Sequence, residues 1–80
     1  MQTIGSVIDQ LNIVNIKIWH WIDKECDKSL PDHERIMASD KVVSLNKQRN
    51  KLIDELDDLI NRAIKNGEAE IMSKNKLYGA

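Results

Sequence analysis

The eighty-residue chain has no phenylalanine, one tyrosine, two tryptophans, one proline, one cysteine and three glycines. Each scarcity excludes something. Without Phe, and with few other aromatics, a core must be assembled from Ile, Leu and Val. Cys26 is alone and cannot close an internal disulfide, and the N-terminus lacks the basic-then-apolar pattern of a secretory signal, so the expected location is the cytoplasm. No Gly-rich loop is present to cradle a phosphate. Ser6, Ser39 and Ser44 have no His and Asp at a recognisable spacing, and Cys26 has no cationic activator beyond its lysines, so the chain is not expected to be an enzyme. An excess of one charge is missing too: twelve Lys and Arg against thirteen Asp and Glu, well interspersed, leave no basic footprint for a nucleic-acid polymer or an acidic membrane surface. Long apolar runs are equally absent. Asp9, Gln10, Asn12, Asn15 and Lys17 interrupt the most hydrophobic stretch well short of the ~20 residues that span a bilayer.

What remains is helical periodicity. From Thr3 to about Asp27, apolar residues recur as Ile4, Val7, Ile8, Leu11, Val14, Ile18, Trp21 and Ile22, with no Gly or Pro from Ser6 onward. A second strip, Ile13 and Ile16 with Trp19 nearby, widens the apolar face beyond what one neighbouring helix covers. The only proline follows in "KSLPDHER", where Ser29 and Asp32 resemble a capping arrangement, so a second helix is expected from near Pro31. It carries Val42, Leu45, Arg49, Leu52, Leu56, Leu59 and Ala63 at alternating threes and fours, and Asn66 with Gly67 suit a left-handed C-cap. The stretch Met37 to Asp40 can mark a kink or a fresh N-cap at Ser39. These signals predict an all-α antiparallel hairpin over residues 1–67. A C-terminal arm, 68–80, is left as a short helix, a partner-facing arm or a disordered tail. A chain this short buries only about 60% of the surface its unfolded form exposes, so the hairpin is expected to associate into a helical-bundle homo-oligomer, a dimer or higher.

One seam position of the second helix is held by a guanidinium, Arg49. In an antiparallel hairpin closed at the joint, facing residue numbers add to roughly 58 to 62. The seam of the first helix reads Ile4, Ile8, Leu11, Asn15, Ile18, Ile22, so its one polar break falls opposite Asn46 and a turn from Arg49, with Asn50 one turn beyond Asn46. An unpaired polar group enclosed there costs roughly 1 to 3 kcal/mol. Two readings follow. Asn15, Asn46 and Arg49 satisfy one another, with Asp54 or another carboxylate, and set helix register; or they line a hollow between helices or subunits. There the guanidinium fork fits phosphate, the amides read a base or ribose, and Trp19 or Trp21 stacks. His20 either reaches the same region or lies at the surface. With Cys26 and His33 it matches no common zinc spacing, so neither metal nor cofactor is expected. The acidic group Asp54, Glu55, Asp57, Asp58 has Lys51 and Arg62 at helical spacing and is expected to form ordinary surface ion pairs.

The pairing of "IWHWID" with "LNKQRNKLIDELDDLI" resembles an uncharacterised bacterial and phage helical family of unknown function over roughly residues 4 to 60. Trp19, His20 and Asp23 match its first part, and Asn46, Arg49 and Asn50 its second. Where that family often has an acidic pair after Trp-His-x, this chain has Trp21, Ile22 and Asp23, one carboxylate fewer. In size and design the chain is also loosely similar to phage sponge proteins, small helical oligomers that sequester nucleotide immune signals. That likeness implies a binding protein for an ADP-ribose derivative or a cyclic dinucleotide, acting against host defence in the host cytoplasm if phage-encoded. The candidate ligand-binding residues are Arg49, Asn46, Asn50, Asn15, Trp19, His20, Trp21 and Asp23. The alternative is a helical-bundle interaction or structural module in which the polar cluster only sets register.

Overall fold

A computed structural model describes the backbone over residues 2–78 and the side chains over residues 2–67. Two helices, α1 (Ile4–Cys26) and α2 (Asp32–Tyr78), make up the architecture and pack against each other as the expected antiparallel hairpin. Thr3 opens α1: its hydroxyl accepts from the Ser6 N–H at 3.1 Å while its carbonyl accepts from Val7 N at 3.0 Å, satisfying two of the donors a helix start leaves free. At the other end the Arg35 Nε donates to the Glu25 carbonyl at 3.0 Å, so a cation from α2 ties off the last turn of α1.

The joint is built by Asp27. Its Oδ1 accepts from Ser29 N at 2.9 Å and from Ser29 Oγ at 2.6 Å, an Asx turn that reverses the chain. Ser29 is thus spent on Asp27 and does not cap α2. The Pro31 carbonyl takes that place, accepting from Glu34 N and Arg35 N, each at 3.1 Å, with Asp32 and Glu34 in the positive first turn. The helix start expected near Pro31 is therefore where the backbone puts it, with a different cap.

Two expected interruptions are absent. α2 is continuous through Ser39, because Ala38 is fully buried against α1 and the local sequence contains no Gly or Pro to break it. It also continues through Asn66 and Gly67, and no described residue has a positive φ. A Gly inside a helix costs about 1 kcal/mol relative to Ala, which a helix can bear. The side chains of the proposed arm, 68–80, lie outside the described residues, as do Gly79 and Ala80 altogether.

Val7, Val14, Ile18 and Leu52 form the core, with Leu11, Ile22, Leu45, Leu56 and Leu59 packed around it. This corrects the α1 seam expected above. Val7 and Val14 are 0% and 3% exposed, whereas Ile8 is 45% exposed and Asn15 lies in the open. Turning α1 by about half a residue step swaps Asn15 for Val14 at the contact line, and an all-apolar line avoids burying an amide without a partner. Among the described residues no polar or charged side chain is buried. α2 is twice the length of α1, 47 residues against 23, and the molecule measures 63 × 20 × 16 Å. Its radius of gyration of 19.2 Å exceeds the about 12 Å of a compact chain this long. The part of α2 beyond the start of α1 has no partner helix within the hairpin. Among the described residues, no helix is long and apolar enough to cross a membrane.

Candidate functional site: the Arg49 flank of α2

Successive residues of a helix point about 100° apart, so the contact lines just described divide the hairpin into two broad faces. A cleft of about 210 Å³ identifies one of them. Trp21 and Lys24 of α1 line it with Leu30 of the joint and Glu34 and Met37 of α2. There the Lys24 ammonium sits 4.7 Å from the centroid of the Trp21 ring, and the His20 ring meets Trp21 edge-on at 5.5 Å and 78°. Lys24 lies three residues beyond Trp21, so this cation–π contact follows from helical spacing and was readable from the sequence.

Trp19 stands two residues before Trp21, about 200° around α1. It is 66% exposed and faces away from that cleft. The two indoles therefore do not converge on one ligand, and of the pair only Trp19 lies on the side of α1 that carries Asn15. On α2 the side opposite Met37 carries Arg35 and Ser39, which line a second cleft of about 320 Å³ with Glu25, Asp32 and Ile36. Continuing at threes and fours from Ser39, that side holds Val42, Asn46, Arg49 and Ile53. Since Trp21 and Met37 share one face, Asn15 and Trp19 share the other with Asn46 and Arg49.

The gathering of Asn15, Asn46 and Arg49 thus falls on an open flank rather than in the interior. Arg49 is half-buried at the edge of the seam, while Asn15, Asn46 and Asn50 are exposed. Among the described residues none of these four hydrogen-bonds to another through its side chain, and Arg49 pairs with no carboxylate. His20 and Asp23 are exposed on α1 away from Arg49. The acidic group on α2 behaves as a surface: Asp58 accepts from Arg62 Nε at 3.0 Å, which raises the Arg62 pKa. Among the described residues no three His, Cys, Asp or Glu side chains gather as metal ligands, and Cys26 is a free, exposed thiol.

Sequence reasoning did not single out Asp27 and Arg35, which hold the joint. Asp-x-Ser ahead of the lone proline was the available signal for the first. Two hydrogen bonds from Ser29, side chain first and backbone second, hold the Asp27 carboxyl below its ordinary 3.8, with the Arg35 charge adding to them.

Residues 1–73 match a family described as protein of unknown function (DUF4254). No curated protein and no solved structure matches the chain.

Proposed function

The chain belongs to that family, and we propose that it works as a non-enzymatic helical association module that completes its core by pairing with another copy of itself. The observation that supports this is the distribution of apolar surface. Only Val7, Val14, Ile18, Ala38 and Leu52 are buried apolar residues among those described, while Ile8, Trp19, Ile60 and Ile64 are among the large apolar side chains left in the open. Each Ile moved from water into a packed interface contributes about 1.5 to 3 kcal/mol, whereas a hairpin with so small a core has little stability of its own. A concentration series of thermal melts tests the reading. Association makes the midpoint rise with protein concentration, and a midpoint constant over a hundredfold range contradicts it.

A second reading has one observation in its favour. Among the described residues Arg49 has no carboxylate partner, and it shares a face with Asn15, Asn46 and Trp19. In that reading the oligomer sequesters a nucleotide-derived signal, an ADP-ribose derivative or a cyclic dinucleotide, as a phage anti-defence sponge. Arg49 holds phosphate, Asn46, Asn50 and Asn15 orient sugar or base, and Trp19 stacks on the base. A thermal-shift screen decides: a ligand at a hundred times its Kd adds about 2.7 kcal/mol of stability, and the shift disappears in Arg49→Leu. No shift with either nucleotide class leaves the association module alone.

A further inference from the structure

The Arg49 flank continues along α2 beyond the candidate site. Val42, Asn46, Arg49, Ile53, Asp57, Ile60 and Ile64 follow one another at steps of four, three, four, four, three and four, so they form one stripe on one side of the helix. The stripe is open: Ile60 and Ile64 are exposed, and Val42, Arg49 and Ile53 are half-buried. Its spacing is also symmetric about Ile53. Arg49 and Asp57 lie four residues on either side of it, Asn46 and Ile60 seven, and Val42 and Ile64 eleven.

The two charges of the stripe have opposite sign, and neither is paired among the described residues. Positions 45, 46, 52 and 53, one turn from Arg49, are Leu, Asn, Leu and Ile, and positions 53, 54, 60 and 61 around Asp57 are Ile, Asp, Ile and Asn. Among the described residues neither Arg49 nor Asp57 forms an ion pair. A two-fold symmetric interface requires that whatever residue i touches on the partner, the partner's i touches in return. A stripe with one cation and one anion at equal distances from its centre meets that condition when two copies run antiparallel.

Resting on the association reading above, we propose that two copies of the chain pair antiparallel through this stripe, with the two-fold axis at Ile53. Each Arg49 then meets Asp57 of the second copy, and Val42 packs on Ile64 at both ends. Ile53 packs on its own equivalent, and Asn46 lies within a turn of the charge pair, able to donate to the same carboxylate. A parallel pairing in register sets Arg49 against Arg49 and Asp57 against Asp57, which like-charge repulsion disfavours. Ile8, Asn15 and Trp19, on the same face of α1, then border the paired α2 helices.

A charge swap on the full chain tests the pairing, with the dimer dissociation constant read by sedimentation equilibrium. Arg49→Glu and Asp57→Arg each place like charges at two symmetric points and are expected to weaken the dimer at least about tenfold, 1.4 kcal/mol. The combined R49E/D57R restores the opposite charges and is expected to recover most of the loss. Helix content by circular dichroism separates lost pairing from lost fold. Should the single variants unfold, Ile53→Cys in a Cys26→Ser background supplies a second measurement, since an axis at Ile53 lets that cysteine cross-link to its equivalent while Val43→Cys does not. A double variant as weak as the singles, or no preference for cross-linking at 53, overturns this pairing while leaving association standing. A monomeric parent chain overturns both.

Discussion

Val14 and Asn15 are adjacent in the chain and opposite in their surroundings: the valine is 3% exposed against α2, the amide lies in water. The consequence is a sharp contrast between neighbouring substitutions. Val14→Asn puts an amide into the apolar contact line and is expected to cost about 1 to 3 kcal/mol in urea denaturation, whereas Asn15→Ala stays within about 0.5 kcal/mol. Equal effects contradict the placement of α1. The sequence reading took the Asn15 line and missed this rotation because Ile4, Leu11, Ile18 and Ile22 fit either line, and only the choice between Val14 and Asn15, and between Val7 and Ile8, separates them. Arg49, by contrast, stands out in any helical reading, since no rotation of α2 moves it far from the seam occupied by Leu45, Leu52 and Leu56. That Trp19 and Trp21 point to different sides of α1 was legible as well, because two residues along a helix span more than half a turn. At the joint the Asp27 carboxyl is held below 3.8 in the folded chain by Ser29. A depressed folded value means that the contribution of these hydrogen bonds is complete above 3.8 and is lost as pH falls through the folded value. In Ser29→Ala an NMR titration is expected to show Asp27 moving back up toward 3.8. An unmoved titration contradicts the assignment of the hydroxyl as the main cause.

At the scale of elements, both helix starts and the end of α1 near Asp27 were legible, and the end of α2 was not. Thr3 and the Pro31 region carry physical commitments: a hydroxyl that bonds Ser6 N, and a ring with no N–H and a fixed φ. Asn66 and Gly67 carry only a preference, and α2 runs through them with open space where a Gly67 Cβ would lie. Gly67→Ala is therefore expected to stabilise the helix by up to about 1 kcal/mol, seen as a higher midpoint and more ellipticity at 222 nm. A left-handed C-cap at this position predicts the opposite sign. The same reasoning applies to Met37 to Asp40, where a cap at Ser39 was overridden by packing, since Ala38 is among the most buried of the described residues.

On the scale of the whole molecule, the all-α antiparallel hairpin and its register were legible, and the Arg35 contact with the Glu25 carbonyl falls within the facing positions expected from the joint. A second helix longer than the first was legible too, and only its run past Asn66 and Gly67 was not. The flank that matters for pairing lies within the expected part of α2: from Val42 to Ile64 it is left open, holding Arg49 and Asp57 at mirrored distances from Ile53. The most direct measurement of the central claim is the mass of the chain in solution by sedimentation equilibrium at neutral pH and moderate salt. Pairing through the open flank predicts twice the chain mass of 9.2 kDa at micromolar concentration, falling toward that single-chain value on dilution. A mass of one chain at every concentration, with the helices intact, contradicts it.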